Sequence, residues 1–384
     1  MNFIKRAWAE IDISALRKNI TALKAVAGEK EVIAVVKANA YGHGAGIVCP
    51  SLWEEGIRYF AVSNMYEALE LREILPNAEI IIFGYVDTEH IEDNDFIYTA
   101  GSVEYVDKLS KYAQSRGTKL RVHIKLDTGM ARVGVDGEKE LESILRFSGL
   151  EFEAVYTHFA SAESYLPVDM EYTKRQQKML TQTTNSAINA ASVKSELSSL
   201  LNRKMKIHSQ NSGGMLCHRE FEGDFVRAGI SMYGYHPNPA IKDAPVLYPV
   251  MTLKSLVWQV KDIPKDTYIS YGRTFKSERT MRVAVIPIGY ADGYSRALSN
   301  KGAVSIKCKC APVLGRVCMD QIIVDISEID GVRTGDEVIV YSNLYEYTDV
   351  ENISESLGTI SYEVLCNVSA RVQRMQVDNG VDSC

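Results

Sequence analysis

The stretch EVIAVVKANAYGHG, residues 31–44, is an apolar run that ends in a cation. Val32 to Val36 are all apolar, Lys37 stands where the run gives out, and Tyr41, Gly42 and Gly44 come soon after. Burial disfavours the charged form of an amine, so a lysine at the mouth of an apolar strand gives up its proton more readily than a solvated one. Such an amine is a nucleophile towards carbonyl carbon. The tyrosine and glycines beside it make a polar loop suited to hydrogen-bonding an anion. A charged residue at a strand end also commonly just marks the exit to solvent, so position alone does not assign chemistry to Lys37.

If the carbonyl partner is pyridoxal phosphate, the amine needs a phosphate cradle, a group at the pyridine nitrogen and a proton-transfer group near the substrate carbon. Candidates for each are present. QNSGG (210–214) brings Ser212 and a flexible backbone, and GISMYG (229–234) brings the amides of Gly229 and Ile230. Arg227 lies inside the apolar segment FVRAGISM, an unusual place for a guanidinium unless it faces a polar cavity. Arg132, in DTGMARVG, comes after another apolar run and could hold a carboxylate through two N–H bonds. Taken singly, each also reads as a plain turn, a core ion pair or a surface arginine.

Eight short apolar runs supply the frame: 32–37, 59–64, 80–85, 95–100, 120–127, 152–159, 205–210 and 226–234. Several are apolar on both faces, as strands of a covered parallel sheet are. Helical patterns lie between them, among them 65–75, where Met65, Leu69, Ile74 and Leu75 approximate one face, and 170–191. Strand and helix in alternation, eight times over, predict a (β/α)8 TIM barrel, whose active site is built at the carboxyl ends of its strands. The helices within 137–147 and after the seventh strand are weakly patterned, which leaves a doubly wound sheet as the competing topology. From about 240 onward the chain alternates and is broken by Gly, Pro and Asp-Gly turns, as antiparallel strands are. We expect a barrel over 12–236 and an antiparallel all-β C-terminal domain made of 1–11 and 237–384, with PNPAIKDAP (237–245) as the link.

Composition excludes several classes. The 384 residues carry 43 basic and 49 acidic side chains, a net charge of -6, which suggests no nucleic-acid or membrane partner. No window reaches the ~18 uninterrupted apolar residues of a membrane span, and seven cysteines without framework spacing fit a reducing compartment. Cytoplasmic localisation is the expectation. Cys308 and Cys310, in alternation on a strand, read as half-buried thiols rather than a metal site; no metal is expected.

AVVKANAYGHG, KLDTGMARVG, YTHFASAE, VRAGISMYG, ISYGRTF, IPIGYADGY, GRVCMDQ and SYEV resemble, in this order and spacing, the motifs of the alanine racemases. The likeness runs from about residue 6 to 375. It implies pyridoxal 5'-phosphate carried on Lys37, with Tyr41, Ser212, Gly229, Ile230 and Tyr362 around the phosphate, Asn211 also in the cofactor site, Arg227 at the ring nitrogen and His158 near the ring. Arg132 would reach the substrate carboxylate, with Lys125 (a carbamate in many members), Tyr290 and Arg296 in support. Tyr271, Met319 and Asp320 would come from the other subunit of a homodimer. The resemblance further implies interconversion of L- and D-alanine by two bases, Lys37 on the D face and Tyr271 on the L face, supplying D-alanine for peptidoglycan. A serine racemase of the vancomycin-resistance type, or a broad-specificity amino-acid racemase, is the alternative. Decarboxylases of basic amino acids share the plan but carry a glutamate at the ring nitrogen, a GGG turn and a CES motif, none of which this chain has.

Overall fold

A computed structural model describes residues 6–91, 95–192 and 205–378. β1 (Ala7–Asp12) leads into a helix, Ile13–Ala27, whose first turn is capped by the Asp12 carboxylate accepting from the Ala15 amide. Eight parallel strands then close a barrel: β2 (Glu31–Val35), β3 (Tyr59–Val62), β4 (Glu79–Ile82), β5 (Phe96–Ala100), β6 (Leu120–Lys125), β7 (Leu150–Tyr156), β8 (Lys206–His208) and β9 (Phe225–Ala228). β9 pairs with β2 through Glu31 opposite Phe225 to Ala34 opposite Ala228, which leaves no open edge. All eight apolar runs are strands of this TIM barrel.

The crossovers are less regular than strand–helix alternation predicts. Helices Ala45–Glu54, Met65–Ile74, Val103–Arg116, Gly137–Ile144, Pro167–Ser192 and Ser212–Cys217 cover the outside, but among the described residues the link from β4 to β5 holds only a 3-10 turn, Thr88–His90. In Met65–Ile74 the buried residues are Ala68 and Leu71, and Leu69 is exposed. Met65, Ile74 and Leu75 of the predicted face do pack on the core, while Leu69 points outward and Ala68 and Leu71 take the central contacts. The polar segment 192–204 has residues 193–204 outside the described ones.

The remainder forms an antiparallel β region. β10 (Met251–Leu256), β11 (Gln259–Ile263), β12 (Tyr268–Ile269), β13 (Phe275–Lys276), β14 (Met281–Ile286), β15 (Ala303–Ile306), β16 (Lys309–Pro312), β17 (Ile322–Asp325), β18 (Glu337–Tyr341) and β19 (Gln373–Val377) build three sheets. The largest has the order β16-β15-β18-β10-β1-β19, so β1 sits between β10 and β19. Two short helices, Val350–Leu357 and Ser361–Cys366, are set into this region. Cys308 and Cys310 are both exposed, not half-buried: Cys308 occupies the β15–β16 turn with φ 61°, and Cys310 lies on β16, the edge strand of its sheet.

Candidate active site

The barrel's strand periodicity decides what faces inward. Residues two apart share a face, and in β6 that face carries Arg121, His123 and Lys125, in β8 Lys206 and His208, and in β9 Phe225 and Arg227. The interior is thus polar in layers, where a TIM barrel is usually filled with branched apolar side chains. The uppermost layer opens into a cavity of about 520 Å3 at the carboxyl ends of the strands.

Lys37 lies two residues beyond β2 and lines this cavity. The backbone beyond it is not a simple loop. Ala38, Asn39, Ala40 and Tyr41 all have φ of 53–54°, a left-handed turn made without glycine, at a cost of roughly 1–2 kcal/mol per residue. Neighbouring groups hold it there. The Ala38 amide donates to Glu67 Oε1 at 2.8 Å, the Ala45 amide to Asn39 Oδ1 at 2.7 Å, and Arg374 Nε to the Gly42 carbonyl at 2.8 Å. At Gly42 a Cβ would lie 2.3 Å from the Leu365 carbonyl oxygen, so this position requires glycine. The turn swings Tyr41 back beside Lys37. Positive φ recurs at Ala131, next to Arg132, and at Ser270, next to Tyr271.

Four cations line the cavity, Lys37, Lys125, Arg132 and Arg227, and no Asp or Glu is among its lining residues. Two carboxylates near enough to act on these amines are turned onto backbone instead: Glu67 accepts from Ala38 and Ser63, Asp127 from Gly129 and Ala131. Burial, then the Arg132 charge, lowers the pKa of Lys37. Burial, then Arg132 and Arg227, brings Lys125 down to about 8. Arg227 is fully enclosed, and burial lowers it to about 10. Its NH1 donates to His208 Nδ1 at 2.9 Å, and its NH2 to the carbonyls of Thr157 and Ser209 at 2.9 and 2.8 Å, with His158 Nδ1 at 3.3 Å.

At the far side of the cavity three groups converge. The Gly229 amide donates to Ser212 Oγ at 2.9 Å, and a Cβ on Gly229 would sit 3.0 Å from the Tyr41 hydroxyl and 3.6 Å from Ser212 Oγ. Asn211 caps the short helix that begins at Ser212, its side chain accepting from the Gly214 amide at 2.9 Å. Ile230 opens a 3-10 turn after Gly229. Tyr362 reaches in from helix Ser361–Cys366, its ring 5.9 Å from that of Tyr41. The Gly229 amide, the Tyr41 phenol and the Ser212 hydroxyl, meeting where a Cβ would crowd the Tyr41 hydroxyl, make a cradle for an oxyanion.

The expected residues Lys37, Tyr41, Lys125, Arg132, His158, Asn211, Ser212, Arg227, Gly229 and Ile230 of the barrel and Tyr362 of the C-terminal region are therefore brought together. Tyr271, Tyr290, Arg296, Met319 and Asp320 do not line this cavity. Tyr271 is 71% exposed and Met319 52%, and with Tyr290 they form one outward-facing cluster. Ser270 Oγ donates to the Arg316 carbonyl at 2.6 Å, the Tyr290 amide to the Cys318 carbonyl at 3.1 Å and the Ala291 amide to the Met319 carbonyl at 3.0 Å. Asp320 pairs with Arg371 at 2.6 Å. Sequence reasoning missed Tyr156 and Cys366, which also line the cavity, and the buried His123 and His208 beneath it. The available signal was the polar residue at every second position of RVHIK and KIH.

The Alanine racemase, N-terminal domain family matches residues 11–237, and the Alanine racemase, C-terminal domain family matches 250–376. The chain belongs to the alanine racemase family. An alanine racemase of Clostridium perfringens is 40% identical over 386 residues, covering 98% of this chain and 96% of the relative. Among solved structures, an alanine racemase of Clostridium difficile 630 superposes with a TM-score of 0.89 at 32% identity, covering 98% of this chain and 97% of that one. An alanine racemase of Bartonella henselae, solved with covalently bound pyridoxal phosphate, gives 0.82 at 30% identity and covers 97% and 99%. Membership makes this chain an isomerase of the alanine racemase type, a family dependent on pyridoxal phosphate. The cavity fits such a group, since four cations without a lining carboxylate and a cradle at Gly229 call for a phosphate ester. Among the described residues no helix is long and apolar enough to cross a membrane.

Proposed function

We propose that this chain interconverts L- and D-alanine with pyridoxal phosphate held on Lys37, using one base on each face of the substrate carbon. The observation that carries the reading is the cation-lined cavity around Lys37, which lacks any lining carboxylate. Tyr41, Ser212, Gly229, Ile230 and Tyr362 would hold the phosphate, and Arg227 would face the pyridine nitrogen with His158 and Asn211 beside it. When bound, pyridoxal phosphate supplies the electron sink that makes the Cα proton of an amino acid acidic enough to leave. Arg227 keeps its own proton at neutral pH even with its pKa lowered to about 10, so it donates a hydrogen bond without protonating the ring. That restrains the sink and limits side reactions. Arg132 orients the substrate carboxylate through two N–H bonds, steadied by Lys125.

Lys37, its pKa lowered by burial and by Arg132, holds or releases a proton on the D face. The L face is served by Tyr271 of the partner subunit. In its own chain Tyr271 stands exposed in the cluster with Tyr290 and Met319, away from the cavity lining, which supports a shared site in a homodimer. Met319 and Asp320 of the partner subunit would bound the substrate pocket, with Tyr290 and Arg296 in support. The domain division proposed is a barrel over 12–236 and a β domain of 1–11 and 237–384, of which residues 1–5, 92–94, 193–204 and 379–384 lie outside the described ones. The physiological role would be cytoplasmic supply of D-alanine for peptidoglycan.

A racemisation assay over alanine, serine and lysine tests the class and the substrate together; turnover of serine or lysine in preference to alanine refutes the assignment. Tyr271→Phe separates the bases. Deuterium exchange at Cα of L-alanine should fall by about a hundredfold or more while exchange at D-alanine persists. Equal loss from both enantiomers would contradict one base per face.

A further inference from the structure

Beneath Arg227 the barrel interior holds a chain of polar groups that runs from the cavity lining down to the half-buried Glu153. Arg227 NH1 meets His208 Nδ1 at 2.9 Å, His208 Nε2 meets His123 Nδ1 at 3.2 Å, and His123 Nε2 faces Glu153 Oε2 at 3.7 Å. His208 is fully buried and His123 nearly so. The Tyr156 ring stacks on His208 at 4.6 Å and 5°, which fixes the imidazole plane. Glu153 is itself clamped: Arg121 Nε donates to Oε1 at 2.6 Å and Arg121 NH2 to Oε2 at 3.2 Å.

Donor and acceptor roles along this relay are bounded by a donor at one end and an acceptor at the other. A guanidinium only donates, so His208 Nδ1 must be bare. A neutral His208 then carries its proton on Nε2 and donates it to His123 Nδ1, which must be bare in turn. His123 therefore carries its proton on Nε2, directed at a carboxylate. Burial, the first cause at both rings, keeps them neutral by lowering their pKa values. Every link agrees in direction, from Arg227 at the mouth to Glu153 near the floor.

We propose that Glu153 and His123 are positioning residues for Arg227: the carboxylate selects the Nε2–H tautomer of both histidines, and so keeps an acceptor under the guanidinium that faces the cofactor ring. The proposal rests on Arg227 facing the pyridine nitrogen, but the proton order does not. Glu153→Gln tests it sharply. The atom of the amide that meets Arg121 Nε must be its oxygen, so its NH2 turns towards His123 and Arg121 NH2, donor against donor. His123 relieves that clash only by changing tautomer, which forces the same change on His208 and sets an N–H against Arg227. Glu79→Gln is the matched variant. It also removes a carboxylate from Arg121, which NH1 contacts at 2.6 Å, but Glu153 and not Glu79 makes the carboxylate approach to His123.

The experiment is 15N NMR of histidine-labelled holoenzyme, with signals assigned through single His→Gln variants, alongside the dissociation constant for pyridoxal phosphate. The parent protein and Glu79→Gln should show His123 and His208 as neutral Nε2–H tautomers. Glu153→Gln should lose that pattern and bind the cofactor about tenfold more weakly, the equivalent of one unsatisfied buried hydrogen bond. An Nδ1–H ring at either position in the parent, or the same response from both glutamine variants, overturns the proposal. A correct tautomer pattern in a chain that takes up no pyridoxal phosphate would instead refute the reading of the cavity.

Discussion

At the floor of the barrel Arg121 contacts Glu79 and Glu153 at 2.6 Å each, and Lys206 pairs with Glu31 at 3.4 Å. At the mouth Lys37, Lys125, Arg132 and Arg227 share a cavity with no Asp or Glu among its lining residues. Both ends place cations on inward-facing strand positions or just beyond them, and at the mouth Lys125 and Arg227 are buried. The difference lies in compensation. Charge at the floor is neutralised within the fold and serves structure, whereas charge at the mouth is left for a ligand to neutralise. Burying unpaired cations is costly, and a fold that buries Lys125 and Arg227 with the more exposed Lys37 and Arg132 beside them is arranged around something anionic.

The largest effect that would sharpen this contrast is at Lys37. Lys37→Ala should cut racemisation by about ten-thousandfold, since it removes both an attachment point and a base. With cofactor stripped from both proteins, its thermal stability should stay near that of the parent, because a cation that lacks a lining carboxylate partner is lost. A collapse of the fold would show that Lys37 serves structure as the floor charges do.

The floor should instead be visible in acid. Burial opposes ionisation of Glu153, but His123 and Arg121 outweigh it and bring the carboxyl pKa from 4.5 to about 2. A depressed folded-state pKa means the unfolded chain binds the proton first as pH falls. The contribution of Glu153 to stability is thus complete above about pH 4.5 and drains away between there and about pH 2. Urea unfolding across that window should lose less in Glu153→Gln than in the parent. Parallel losses in the two proteins would remove Glu153 from the charge balance of the floor.

A smaller effect tests the mouth without chemistry. Inorganic phosphate, added to protein stripped of cofactor, should raise the unfolding temperature by a few degrees, as any ligand of the folded state does. The rise should shrink in Ser212→Ala. An unchanged rise would place the anion elsewhere.

The eight barrel strands were legible because runs such as VIAVV and EIIIF are apolar on both faces and punctuated by helical patterns. The residues at their carboxyl ends were legible for the same reason, since the barrel topology decides which end faces the site. The left-handed turn at Ala38–Tyr41 was not. Nothing in Ala, Asn, Ala and Tyr favours that conformation over the usual ones, and it persists through contacts with Glu67 and, beside it, with Arg374, both distant in sequence. The paired histidines under Arg227 went unread because the apolar neighbours of His123 and His208 made both segments look like ordinary buried strands. Helix Ser361–Cys366, which delivers Tyr362, is too short for periodicity to mark.

The most direct measurement is borohydride treatment of the purified holoenzyme followed by peptide mapping. The expected result is loss of the yellow colour with the cofactor fixed stably on the peptide bearing Lys37. Fixation on Lys125 or on any other lysine, or a colourless protein that takes up no label, would contradict the assignment of Lys37 as the amine at the centre of the site.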